Sequence, residues 1–254
     1  GKTTTLCNNI NDILAENPNT KFLVLTPTNK AADVVCKKLQ DINPNIYAVR
    51  LSRPTDPELE GSGIYVDTLD NKSLHNINVV TSTIHRLPYF EINGEKDGEN
   101  FEYKLFKHRN FDYVIFDEAS QIPVWDAIGA LARGKQSIVV GDNKQMPPTS
   151  FFGKGDSEEE VDEEVTEDLE SILDECLAAQ LPELALNWHY RSRYESLIQF
   201  SNQKYYKGGL FTFPAPVAKD TAVKLHVVEG VYDKGDTRTN SNEAKAIVEF
   251  IIQH

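Results

Sequence analysis

At 254 residues, with 40% hydrophobic and 26% charged side chains, the sequence has the make-up of a soluble globular protein, long enough for one large domain or two smaller ones. No apolar run approaches the length of a membrane span, and no basic stretch followed by an apolar one opens the chain, so neither a membrane anchor nor a signal peptide is expected. The net charge of −13 argues against a nucleic-acid partner, but ten carboxylates fall between Asp156 and Glu170 with no basic residue among them, which leaves the remainder near neutral.

Gly1-Lys2-Thr3-Thr4-Thr5-Leu6 is the tail of a phosphate-binding loop pattern. In that pattern backbone N–H groups cradle phosphates, the Lys reaches the β- and γ-phosphates and the hydroxyl binds Mg2+. A helix follows, with Leu6, Ile10, Ile13 and Leu14 on one face and a stop near Asn17-Pro18. The first glycine of the pattern does not precede Gly1, so a longer parent chain is expected. Cys7, Cys36 and Cys176 form neither a metal-ligand spacing nor an even disulfide set, which fits a reducing cytoplasm.

Phe22 to Leu25 reads as a buried strand, leading into Thr26-Pro27-Thr28-Asn29-Lys30 and a helix over 30–40 with Ala31, Val35 and Leu39 inward. Hydroxyl and amide groups at a helix start suit a phosphate backbone, and equally suit the plain task of capping the helix. Residues 43–77 carry Pro44, Pro54, Pro57, Gly61 and Gly63 with little periodicity, and are expected to be an irregular insertion. A third strand runs from Asn78 towards Arg86 and includes Thr83. His85 has no nucleophile beside it and reads as a structural, hydrogen-bonded histidine. Residues 89–109 suggest a surface hairpin around Asn93-Gly94 and Asp97-Gly98.

The chain's chemistry concentrates on Phe111 to Gln121. The apolar run Val114-Ile115-Phe116 ends in Asp117-Glu118, which describes a strand of a parallel sheet with its acidic end where ligands bind. One carboxylate can hold Mg2+ and the other can polarise an attacking water; the alternative is a solvated turn. Ser137 to Val140 is a further strand, leading into Gly141-Asp142-Asn143-Lys144-Gln145-Met146-Pro147-Pro148, where Gln145 can touch a γ-phosphate or its attacking water. The acidic run 156–170 is expected to be solvated, and a helix emerges from it through Leu169, Ile172, Leu173, Cys176 and Leu177. Then come Trp188-His189-Tyr190-Arg191-Ser192-Arg193 and a helix into Asn202. Arg191 offers a fork for a phosphate and Tyr190 a face for a base; a salt bridge and a core ring are the alternatives. Val223–Val228 reads as a strand, and 243–252 as a helix with Ala246, Ile247, Phe250 and Ile251 inward.

Six stretches in order resemble the superfamily 1 helicases: Gly-Lys-Thr-Thr-Thr, Thr-Pro-Thr-Asn-Lys-Ala-Ala, Thr-Ser-Thr-Ile-His-Arg-Leu, Phe-Asp-Glu-Ala-Ser-Gln, Val-Gly-Asp-Asn-Lys-Gln-Met-Pro-Pro and Trp-His-Tyr-Arg-Ser-Arg. They look most like the branch of the nonsense-mediated-decay helicase and large bacterial proteins with a similar motor. The resemblance implies an α/β, P-loop NTPase fold with RecA-like parallel sheets. It implies ATP and Mg2+ as cofactors and single-stranded DNA or RNA as partner, and the branch implies a motor moving 5′ to 3′. Gly1, Lys2, Thr3 and Thr4 would bind the nucleotide, with Thr3 and Asp117 on the metal and Tyr190 on the adenine. Glu118 would activate water, Gln145 would sense the γ-phosphate and Arg191 would stabilise transition-state charge, while Thr28, Asn29 and Thr83 would touch the strand.

The expected layout is a first RecA-like domain over 1–150 with insertions at 43–110, an acidic segment and connecting helix over 151–185, and the incomplete start of a second RecA-like domain over 186–254. The last motifs of the family are not matched, so this stretch alone is expected to bind ATP poorly and not to unwind. The competing expectation is a nucleotide-switched binding module that grips nucleic acid or a partner without unwinding.

Overall fold

The computed structural model describes residues 1–51, 53–60, 62, 65–66, 76–87, 91–96, 99–104, 111–148, 171–214, 222–235 and 237–253. The contacts divide the chain into two units, Gly1–Leu186 and Asn187–His254.

The first unit is built on a parallel sheet whose inner strands are buried on both sides. β1 (Phe22–Thr26), β2 (Ala48–Leu51), β3 (Tyr65–Val66), β4 (Val79–Thr83), β7 (Phe111–Phe116) and β8 (Gly134–Val139) form one sheet in the order β3-β2-β4-β1-β7-β8, with every pairing parallel. Every residue of β1, β2 and β4 is buried. This is the signature of parallel strands covered on both faces. Alternation along each strand splits the core in two. Phe22, Val24, Val79 and Ile115 face helices α1 (Lys2–Glu16) and α2 (Asn29–Ile42), meeting Leu6, Ile10, Val35 and Leu39. Leu23, Leu25, Val80, Val114 and Phe116 face the other way, towards Ile84, Leu87, Ile122, Ala127 and Ile172. Each such side chain contributes about 1.5–3 kcal/mol of apolar burial before chain entropy is charged.

Helix α1 ends where the sequence predicts. Pro18 disfavours helical geometry for the residue before it, and Asn17 is extended at φ −137°, ψ 90°. Between β7 and β8 the chain crosses over through a short 3-10 turn, Ala119–Gln121, and helix α4 (Val124–Leu131); the short helix α3 (Pro57–Glu60) and helix α5 (Ile172–Ala178) complete the unit. α5 starts on a reciprocal cap, with Ser171 accepting from Asp174 N at 3.2 Å and Asp174 Oδ2 accepting from Ser171 N at 3.2 Å. β5 (Glu91–Lys96) and β6 (Glu99–Lys104) pair antiparallel, Lys96 opposite Glu99, as a separate hairpin. The acidic run 156–170 lies outside the described residues.

The expectation of an irregular insertion over 43–77 is corrected at two places. Residues 48–51 form a wholly buried strand of the main sheet, with Ala48 and Val49 in register with Val79 and Val80, and residues 65–66 add the strand beyond it. A four-residue strand interrupted by Arg50 shows no apolar run, which is why its pattern is silent.

The second unit contains β9 (Trp188–His189) paired parallel with β10 (Phe211–Thr212), helix α6 (Ser196–Tyr205) and helix α7 (Ser241–Gln253). Val223–Val228, expected as a strand, pairs with nothing among the described residues, and Leu225 and Val227 are 89% and 83% exposed. A strand exists only through its ladder partner, so β-forming residues alone do not make one. On α7 the expected inward positions Ile247, Phe250 and Ile251 are likewise exposed.

Candidate functional site

The parallel register brings several strand ends to one edge of the sheet. β1 and β4 finish opposite each other at Thr26 and Thr83, and Phe116 of β7 lies opposite Leu25. Asp117 adds one more rung, its N–H donating to the Leu25 carbonyl at 2.9 Å. The backbone then turns sharply: Glu118 adopts φ 54°, ψ 43°, the left-handed region. A non-glycine residue there costs on the order of 1–2 kcal/mol, and such strain concentrates at functional sites. The turn leaves the Asp117 side chain buried and the Glu118 carboxylate partly exposed.

The first turn of α1 arrives at the same point. Lys2 Nζ lies 2.9 Å from Glu118 Oε2, and Thr3 Oγ1 donates to Asp117 Oδ2 at 3.1 Å. The Glu118 N–H donates back to Asp117 Oδ1 at 3.1 Å. Gly1 caps the helix through its carbonyl, which accepts from Thr5 N at 2.9 Å, and Thr4 is half-buried in the same turn. The leading N–H groups of a helix have no intrahelical acceptor, so this corner combines an ammonium, oriented backbone donors and two carboxylates.

Burial, followed by the neighbouring negative charge of Glu118, pushes the Asp117 carboxyl above its ordinary range, against the opposing Thr3 hydroxyl, the Glu118 N–H and Lys2. A carboxylate so placed is better satisfied by a cation than by its present partners. The donor set, one hydroxyl and one carboxylate, would suit Mg2+, a hard cation that takes oxygen ligands. No cluster of three or more His, Cys, Asp or Glu that would suggest an all-protein metal cage occurs among the described residues.

The other predicted residues are distributed as follows. Gln145 is exposed, and its amide Nε2 donates to Asp142 Oδ2 at 3.2 Å within its own turn. Thr28 is the N-cap of α2, its hydroxyl accepting from Ala31 N at 3.3 Å, and Asn29 is the first residue of that helix. Thr83 is buried at the end of β4. His85 is exposed, with Nδ1 3.5 Å from Asp126 Oδ2. Tyr190 and Arg191 belong to the second unit and are exposed there. The loop carrying them is closed by His189 Nε2, which accepts from Ser192 N at 3.1 Å and lies 2.7 Å from Ser192 Oγ.

Two residues at this edge escape sequence reasoning. Arg50 and Asp33 are 0% and 3% exposed, and Arg50 Nε donates to Asp33 Oδ1 at 2.8 Å. Burial pushes the Asp33 carboxyl up, but hydrogen bonds from Thr55 and Arg50 outweigh it and hold it below its ordinary value. The available signal was an acid on the inward stripe of α2, beside Ala32 and Val35, which demands a partner.

A family profile described as AAA domain matches residues 1–151. Among curated proteins, the chain is 32% identical over 157 residues to the uncharacterized ATP-dependent helicase MG140 homolog of Mycoplasma pneumoniae, covering 58% of this chain and 14% of that protein. It is 30% identical over 155 residues to the DNA replication ATP-dependent helicase/nuclease DNA2 of Saccharomyces cerevisiae, covering 58% of this chain and 9% of that one. The Schizosaccharomyces pombe protein of the same description is 25% identical over 244 residues, covering 93% of this chain and 16% of its own length. The chain therefore spans less than a sixth of the length of each of these relatives.

Proposed function

The chain belongs to the AAA domain family, within the superfamily 1 helicases, and on that premise we propose that it is the motor core of an ATP-dependent helicase that moves along single-stranded nucleic acid. The observation that carries this is the convergence of Lys2 and Thr3 with Glu118 and Asp117 at 2.9 and 3.1 Å. In this reading Lys2 leaves Glu118 to meet the β- and γ-phosphates, and the first turn of α1 donates N–H groups to them. Thr3 and Asp117 hold Mg2+, which when bound neutralises charge on the phosphates. Glu118, released by Lys2, orients and deprotonates the attacking water. Gln145 reports on the γ-phosphate, Arg191 stabilises transition-state charge, and Tyr190 stacks on the adenine.

Thr28, Asn29 and Thr83, gathered at the same sheet edge, are the proposed contacts to the strand. Relatives named for DNA replication favour DNA as the track, and the branch resemblance favours 5′ to 3′ movement. The layout proposed is a first RecA-like domain followed, from about residue 187, by part of a second.

The test is ATP hydrolysis by a protein carrying this chain, with and without single-stranded DNA and RNA, together with displacement of a paired strand. Stimulation by one polymer with strand displacement is expected. Glu118→Gln should bind ATP and lose about 100- to 10,000-fold in turnover, the usual contribution of a general base. Normal turnover in that variant removes Glu118 from the role. ATP binding with no stimulation by either polymer replaces the motor with a nucleotide-switched grip.

A further inference from the structure

Arg50 lies on a strand buried at all four positions and is itself 0% exposed. Its guanidinium donates from Nε to Asp33 Oδ1 at 2.8 Å, from one terminal nitrogen to the Leu51 carbonyl, and from the other to Asn29 Oδ1 at 2.8 Å. The second Asp33 oxygen is also occupied. It accepts from Thr55 N at 2.7 Å, Thr55 Oγ1 at 2.6 Å and Asp56 N at 3.2 Å.

Such a pair is a poor way to stabilise a sheet. Desolvating two charges offsets most of their attraction, and well-packed apolar residues serve as well or better. What an apolar residue cannot do is reach the Asn29 amide. A guanidinium has only donors, so the Asn29 atom facing it must be the carbonyl oxygen. Asn29 is exposed at the first position of α2, where backbone N–H groups also lack intrahelical acceptors. With its oxygen tied inward, the side chain turns only its two N–H donors outward. A phosphate diester offers only acceptors, and a freely rotating amide would meet it with the wrong end half of the time.

We infer that Arg50, fixed by Asp33, is a positioning residue for the nucleic-acid grip: it holds Asn29 with its oxygen inward and its N–H donors facing the phosphate backbone of the bound strand. This rests on the reading of Asn29 as a strand contact. Arg50 does not itself touch the polymer. The register of α2 against β2 supplies the geometry, since Asn29 and Asp33, one helical turn apart, both face residue 50.

The test measures the affinity of labelled oligothymidylate and oligouridylate, basal ATP turnover and thermal stability in a protein carrying this chain, for Asn29→Ala, Arg50→Lys and the double variant. Asn29→Ala should weaken the preferred polymer about tenfold, the worth of one hydrogen bond to a charged group. Arg50→Lys, which keeps the charge and loses the fork, should weaken it by nearly the same factor with basal turnover retained. The double variant should be no weaker than Asn29→Ala alone. Multiplying factors in the double variant, or full affinity in Arg50→Lys, overturns the inference.

Because a buried substitution can cost the fold, Asn29→Gln provides a second arm at an exposed site. It keeps the amide but moves it beyond the fork, and should bind as weakly as Asn29→Ala; wild-type affinity overturns the positioning role. If Asn29→Ala itself binds normally while single strands still stimulate ATP turnover, Asn29 is not a contact, and the inference fails while the motor reading stands.

Discussion

The carboxyl of Asp117 is only 2% exposed, and its partners are a hydroxyl at 3.1 Å and a backbone N–H at 3.1 Å. Burial and the adjacent Glu118 charge raise its affinity for a proton in the native state. Between its ordinary and its raised value the native chain therefore holds more protons than the unfolded one. Stability falls as pH rises through that window, and the full cost is present above it. Asp117→Asn should remove this slope and stabilise the nucleotide-free protein by about 1 kcal/mol at neutral pH, because a neutral amide can keep the bond from Glu118 N and donate to Thr3. The same change should abolish ATP turnover if Asp117 holds the metal as proposed. Thermal melts across pH with paired turnover assays check both; a destabilised variant would show that Asp117 is satisfied as it stands. Lys2, Thr3, Asp117 and Glu118 were legible as candidates because each pair sits in a short local pattern, and it is the fold that brings the two pairs within 2.9 and 3.1 Å of each other. Arg50 and Asp33 were not, because these two residues, 17 positions apart, have no meaning until their strand and helix are brought together.

Elements were readable to the extent that they carry their own reason for burial. β1, β4 and β7 lie inside the sheet; apolar runs, Phe22 to Leu25 and Tyr113 to Phe116, announce β1 and β7, while β4 shows only Val79-Val80 before its hydroxyls. β2 is equally buried, yet Arg50 interrupts its four residues, so the sequence showed an irregular stretch where the sheet in fact continues. Val223–Val228 failed the opposite way, as did the inward face of α7, although that helix itself forms as expected: the apolar pattern is present, but burial depends on a partner that the local sequence does not name. The link from β8 to the site is an element-scale contact at Gly141. A Cβ there would lie 2.8 Å from Leu173 Cδ2 and 3.1 Å from Ser120 N, and Ala119 N already donates to the Val140 carbonyl at 2.9 Å. Gly141 thus lets the strand end close against the turn that follows Glu118. Gly141→Val should cost about 1–3 kcal/mol in denaturant unfolding, as overpacking does, and lower ATP turnover more than ATP affinity by shifting that turn. Unchanged stability and turnover would mean that Leu173 and the turn yield without consequence.

At the scale of the whole molecule, the two units differ in how they are held together. Gly1–Leu186 contains the two large core clusters and a small third one, Cys36 with Leu59. Among the described residues of Asn187–His254 none is buried, and Trp188, Phe211 and Phe213 form an aromatic group with ring centroids 5.0 and 5.6 Å apart while remaining more than half exposed. Hydrogen bonds there are mainly local, such as Asn202 bridging to the Leu210 carbonyl and N–H at 2.9 and 3.0 Å. The free energy of local opening follows buried apolar contact rather than the count of local hydrogen bonds. Native-state hydrogen exchange on the 254-residue chain should therefore find the amides of α6 and α7 opening at lower free energy than those of β1, β4 and β7, and with a separate dependence on denaturant. Helix α1 should follow the strands, because Leu6, Cys7, Ile10 and Leu14 are built into the sheet's core. A single opening free energy shared by both units would mean that they fold as one cooperative body. Separate values would mean that Lys2 and Thr3, at the start of α1, rest on the unit that carries the buried core, while α6 and α7 open independently of it.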